Sequence, residues 1–135
     1  MRIVLDTNVV VSGLMNETSV PAQVVDLCLT GDIELAVDAR IVAEYRDVLS
    51  RSELGLDRGD IDRFLAVTGY AARVVGAPLP VTLPDPDDLP FLEVAVAAAV
   101  DALVTGNVRH FRPREGKLDI PILTPRQLLD RLGGR

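Results

Sequence analysis

Residues 2–8 read Arg2-Ile3-Val4-Leu5-Asp6-Thr7-Asn8, an apolar run that stops on a carboxylate and passes into a polar turn. So short an apolar segment, bounded by polar residues, reads as a buried strand. In open α/β sheets the chemistry gathers where strands give way to helices, so Asp6 stands where a catalytic or metal-binding acid would stand.

Strand and helix signals alternate along the rest of the chain. A short helix around 9–14, weakened by Gly13 and Asn16, follows the first strand, and Ser19 with Pro21 starts a second that Gly31 ends. Residues 33–37 read as the second strand, with Asp38 placed to cap a helix over 39–49. Asp57 to Asp60 introduces a further helix through Ile61, Phe64, Leu65 and Val67, leading to a short third strand near 73–75. The stretch 76–90 is rich in proline and aspartate and reads as a loop, whereas 91–100 is so uniformly apolar that its helix must be buried. Strands at 102–105 and 120–123, an irregular basic loop over 106–119, and a final helix capped by Thr124 and opened by Pro125 complete the series. Strands separated by helices imply a mainly parallel sheet of four to five strands covered on both faces, a three-layer α/β/α domain.

The chain has 135 residues, enough for one compact domain over 1–132 with a short tail at 133–135. No apolar run approaches the length of a membrane span, and Asp6 interrupts what would otherwise resemble a secretory signal, so we expect a cytoplasmic protein. The single Cys28 sits among Val24, Val25, Leu27 and Leu29 and reads as a buried thiol. A net charge of -6 argues against a protein that holds nucleic acid by overall charge, but the average hides a gradient. Residues 109–135 carry 7 basic and 3 acidic groups, while residues 1–108 carry 7 basic and 17 acidic ones. An acidic body with a basic C-terminal segment suits carboxylates that bind cations beside a patch that meets an anionic substrate.

In a parallel sheet the carboxyl ends of the strands share one edge. Asp6, Asp38, the Asp85-Pro86-Asp87-Asp88 loop and Thr105-Gly106-Asn107 fall there, and Glu44 joins them from the edge of a core-facing helical stripe. Helix capping is an ordinary use for each aspartate taken singly. Asp101 precedes its strand and belongs to the opposite edge. Carboxylates converging on one edge repel one another unless a divalent cation compensates them or they bind protons. Oxygen donors without histidine or cysteine suit Mg²⁺ or Mn²⁺ and disfavour zinc, which points to phosphodiester hydrolysis by a metal-activated water. There is no phosphate-binding Gly-rich loop and no nucleophile elbow, and His110, in a loop without an obvious partner, reads as a surface residue.

Ile3-Val4-Leu5-Asp6-Thr7-Asn8-Val9, then Glu44 within a helix, then Asp85-Pro86-Asp87-Asp88 followed by Phe91 and Ala95, then Leu103-Val104-Thr105-Gly106-Asn107 together resemble the PIN domain family. Within it the chain is most similar to the toxins of bacterial toxin-antitoxin pairs, the VapC-like group. Each motif alone is weak, but four in this order and spacing, covering essentially the whole chain, are specific. The resemblance implies a metal-dependent endoribonuclease in which Asp6, Glu44 and Asp88 match the characteristic acids, and Asn8 and Thr105 match supporting polar residues. Asn107 stands where many relatives place a fourth acid; it offers a neutral oxygen to the metal but removes a charge. The resemblance also implies a Mg²⁺ or Mn²⁺ cofactor, an RNA substrate, an antitoxin that masks the pocket, and a homodimer. Arg109, Arg112, Arg114 and Lys117 follow the fourth strand and are expected to meet the RNA backbone. Two rival readings stand beside this one. Asn107 motivates a catalytically weakened PIN-like module that binds RNA or regulates; a phosphatase built on Asp6 is poorer, because such enzymes place a second aspartate where Asn8 stands.

Overall fold

Short runs of aliphatic residues build five parallel strands in the order β3-β2-β1-β4-β5. They are β1 (Arg2–Leu5), β2 (Glu34–Val37), β3 (Ala72–Arg73), β4 (Ala102–Val104) and β5 (Ile122–Leu123). The computed structural model describes residues 1–113, 116 and 118–133. Helices α1 (Thr7–Met15), α2 (Val20–Leu29), α3 (Ala39–Leu49), α4 (Arg58–Thr68), α5 (Leu89–Ala97) and α6 (Pro125–Gly133) cover both faces of the sheet, giving three layers. Ile3, Val4 and Leu5 are wholly buried, as the central strand of a doubly covered sheet requires.

The chain winds from β1 outward through β2 to β3, then crosses back over β1 to β4 and β5. This reversal puts β2 and β4 on opposite sides of β1, with Ile3 in register with Leu35 and Leu5 with Val104. Adjacent crossovers therefore leave β1 in opposite directions and open a crevice at its carboxyl end, where Asp6 begins.

Most expected helix starts coincide with observed caps. Ser19 Oγ accepts from the Ala22 amide at 3.2 Å, Asp38 Oδ1 from Ile41 at 3.0 Å and Asp57 Oδ2 from Asp60 at 3.0 Å, while Thr124 and Gln127 cap each other's amides at 2.9 and 3.1 Å. The apolar segment expected to be helical over 91–100 is helical over Leu89–Ala97. Pro90 opens the helix early, and Ala99, at a left-handed φ of 48°, turns the chain into β4. Nor is it uniformly apolar: Glu93 is buried within it and pairs with Arg40 at 2.7 Å. The third and fifth strands are shorter than expected and begin elsewhere, because edge strands need only a few ladder bonds and the flanking residues turn away. The basic loop after β4 contains a 3₁₀ turn, Val108–Phe111, whose Phe111 is buried.

Four aromatic residues run through the core beneath the carboxyl edge. Tyr45 meets Phe64 edge-on at 5.2 Å between centroids and Phe91 at 6.5 Å, and Phe91 meets Phe111 edge-on at 6.5 Å. The Tyr45 hydroxyl donates to the Leu5 carbonyl, so α3 is tied to the end of β1 by a buried bond. Cys28 is buried as expected, and burial pushes its thiol up to about 12, which leaves it inert near neutrality.

Candidate active site

The aromatic chain positions the polar edge above it. Glu44 directly precedes Tyr45, Asp88 lies three residues before Phe91, and His110 directly precedes Phe111. Packing Tyr45, Phe91 and Phe111 against one another therefore brings the three polar residues to the neighbourhood of Asp6, from segments far apart in the chain.

Asp6 occupies the N-cap position of α1, but its carboxylate makes no cap hydrogen bond. Its Oδ2 accepts instead from Thr105 Oγ1 at 2.7 Å, and Thr105 Oγ1 in turn accepts from the Asn107 amide at 3.0 Å. Burial raises the pKa of Asp6, a rise that the Thr105 hydroxyl and the nearby Thr7 and Asn8 amides only moderate. Glu44 accepts a hydrogen bond from the Thr7 hydroxyl. Its pKa is also raised, first by desolvation and then by the negative charges of Asp6 and Asp87. Asp88 likewise sits at an N-cap position, that of α5, without capping it. Desolvation, followed by the charges of Asp6 and Asp85, pushes it up to about 6. The charge of Asp6 thus reaches both Glu44 and Asp88, and none of the three is used to end a helix.

Of the remaining edge acids Asp87 is exposed and acts on Glu44 only by its charge, while the others have structural employment. Asp38 is occupied by its helix cap and by Arg40 at 2.7 Å, and Asp85 caps the 3₁₀ turn at the Asp87 amide, 2.9 Å away. Asp101 accepts from the Arg2 amide at 2.8 Å at the opposite edge, as its place before β4 requires. Asn8 Oδ1 accepts from the Gly106 amide at 3.3 Å, so this side chain braces the turn after β4. Asn107 is exposed, with Nδ2 at 3.0 Å from His110 Nε2. Arg109 and Arg112 are exposed beyond this turn, and Arg114 and Lys117 lie outside the described residues.

Two residues of this region escaped the sequence reading. His110 is at the surface as expected but is not partnerless: besides Asn107 it faces Asp88, with Nδ1 at 3.9 Å from Oδ2. Thr7, buried in the first turn of α1, holds Glu44 from across the edge. Only the alternation of Phe111 with the polar residues before it hinted at the first, and nothing in the spacing of Thr7 and Glu44 hinted at the second.

A hard divalent ion suits this donor set, all oxygen and mutually repelling, better than any soft metal. As the side chains stand, no three histidine, cysteine or acidic groups among the described residues are drawn together tightly enough to grip an ion. What the acids have in common is an electrostatic field rather than a closed shell. Among the described residues no helix is long and apolar enough to cross a membrane.

No curated protein and no solved structure matches the chain. The family model described as "PIN domain" matches residues 2–109, which takes in β1 with Asp6, α3 with Glu44, the Asp88 turn, and β4 with Thr105 and Asn107. PIN domains are generally nucleases, and the family typically uses a divalent metal. The chain belongs to the PIN domain family.

Proposed function

We propose that the protein is a metal-dependent endoribonuclease of the toxin type. Asp6, Glu44 and Asp88 would hold Mg²⁺ or Mn²⁺, and Asn107 would add a neutral oxygen. Such an ion, when bound, lowers the pKa of a coordinated water and stabilises charge developing on the phosphoryl oxygens. The chain's own contribution is to keep the acids in place and ionised. The Thr105 hydroxyl fixes one Asp6 oxygen, and the Thr7 hydroxyl fixes Glu44. Arg109 and Arg112, with Arg114 and Lys117 in the same loop, would meet the phosphates of single-stranded RNA as it enters. By the same reading the working unit is a homodimer in the cytoplasm, silenced by an antitoxin that covers the acids.

The observation that carries this reading is the gathering of Asp6, Glu44 and Asp88, three acids that serve no cap, at the switch point of the sheet, where burial raises each of them and the charge of Asp6 raises Glu44 and Asp88 further. The test is cleavage of single-stranded RNA in Mn²⁺ by the native chain, Asp6→Asn and Glu44→Gln. Both substitutions should abolish cleavage; cleavage surviving both would remove the assignment.

One observation favours a second reading, a PIN-like module with weakened catalysis. The fourth position is Asn107, whose side chain is turned toward His110 and adds no charge to the acids. Asn107→Asp separates the two readings: a gain from negligible to measurable cleavage supports the weakened module, and an active native chain supports the nuclease.

A further inference from the structure

Beside the acids, a cleft of about 440 Å³ opens between the starts of α1, α2 and α6 and the turn after β4. Its volume lies in the range of small-molecule sites, roughly 300–1,000 Å³. Val9, Val20, Pro21 and Pro125 supply aliphatic walls, and Asn8 and Asn107 stand where the cleft meets the acidic edge. We propose that this cleft seats the nucleotide adjoining the scissile phosphodiester, with Arg126 holding the phosphate on its far side. The proposal rests on the nuclease reading and extends it to a substrate subsite.

The polar groups match a nucleobase edge. Asn8 Oδ1 is taken by the Gly106 amide at 3.3 Å, which leaves Nδ2 as a donor without a partner among the described residues. Asn107 Nδ2 is engaged by His110 at 3.0 Å, and its Oδ1 has two lone pairs, one for the metal of the nuclease reading and one left as an acceptor. One donor and one acceptor at the mouth of an apolar slot are what the mixed edge of a base requires. Aromatic stacking is not available, since Tyr45, Phe64, Phe91 and Phe111 are buried in the core. The base therefore lies between aliphatic surfaces, and its edge contacts select it. Arg126 is exposed in the first turn of α6 and has no carboxylate partner among the described residues, so it is free for a phosphate. The acidic edge and this cationic end suit a metal-neutralised phosphodiester followed by a bare one.

The test compares the native chain with Val20→Trp, which fills the slot, and Arg126→Glu, which reverses the charge on an exposed residue. Each is assayed in Mn²⁺ on a single-stranded RNA oligonucleotide and on bis(4-nitrophenyl) phosphate, a diester too small to need the cleft. The ratio of kcat/KM for RNA to that for the small diester should fall about tenfold in both variants, mainly through KM, as expected for loss of one base or phosphate contact. An unchanged ratio in both folded variants overturns the proposal. Amide NMR titration with each of the four 5′-nucleoside monophosphates gives a readout independent of turnover, and shifts at Ser12 and Val20 are expected. If the native chain hydrolyses neither substrate, the nuclease reading fails, and absence of those shifts then separately removes the cleft. Shifts there that follow protein concentration and ignore nucleotide would assign the cleft to a second copy of this chain and overturn the proposal.

Discussion

Two threonine hydroxyls work against burial at this site. Thr105 donates to Asp6 and Thr7 to Glu44, each lowering a pKa that desolvation has raised. Thr105→Val keeps the shape and removes the donor, leaving a buried carboxylate short of one hydrogen bond, a loss of about 1–3 kcal/mol. We expect the rising limb of the pH–rate profile to move to higher pH in this variant, and an unmoved profile would deny Thr105 that role. Asp88, at about 6 in the folded chain against an ordinary 3.8, holds its proton more tightly folded than unfolded. Its contribution to stability is therefore complete below about pH 4 and is lost as pH rises through about 6. In EDTA, Tm should fall across that interval, and Asp88→Asn should flatten the fall; an equal slope in the variant would contradict the shift. The placing of Asp6 at a strand end and of Glu44 on a helical stripe followed from fixed periods, whereas the choice of Asp88 from its loop came from the family resemblance. Thr7 and His110 were not legible from sequence, because their partners come from distant segments and no period connects them.

At the scale of elements, the separation of Glu44 and Asp88 depends on how α3 sits against α5. Arg40 bridges the two, reaching Asp38 at the start of α3 and the buried Glu93 of α5, both at 2.7 Å. Gly76 lies directly over this bridge: a Cβ there would come within 2.6 Å of the Arg40 guanidinium and 3.2 Å of the Glu93 Cβ. Arg40→Ala leaves two largely buried carboxylates without their counter-charge. Because the arginine is itself half exposed, we expect a loss of about 2 kcal/mol, below the full cost of breaking a buried pair. Gly76→Ala should lose part of the same stability by pushing Arg40 aside. Urea denaturation checks both, and an undiminished midpoint in Arg40→Ala would show that packing alone fixes the two helices. A buried glutamate within an apolar helix gave no sequence sign of its partner, since the pairing joins residues 40 and 93 across the sheet edge. The helix itself and its burial were readable from composition and spacing, though not its start at Leu89.

For the whole molecule, strand order decides where chemistry can occur. Alternating strands and helices implied a parallel sheet, but not that the chain would reverse direction at β1; that follows from which crossovers pack, a tertiary outcome. The reversal puts Asp6 at the crevice, and the aromatic chain from Tyr45 to Phe111 brings the other acids to it. Asp6 raises the proton affinity of both Glu44 and Asp88, so a cation that binds the folded chain and not the unfolded one should stabilise the molecule. A ligand at a hundred times its Kd adds about 2.7 kcal/mol, and Tm in saturating Mn²⁺ should rise accordingly. Asp6→Asn should lose that rise while folding normally in EDTA.

The most direct measurement is a Mn²⁺ titration followed by the electron paramagnetic resonance signal of the free ion, on the native chain and on Asp6→Asn, Glu44→Gln and Asp88→Asn. A convergent site predicts saturable uptake of at least one ion per chain, weakened by each of the three substitutions. Uptake that is absent in the native chain, or indifferent to all three, would contradict the account.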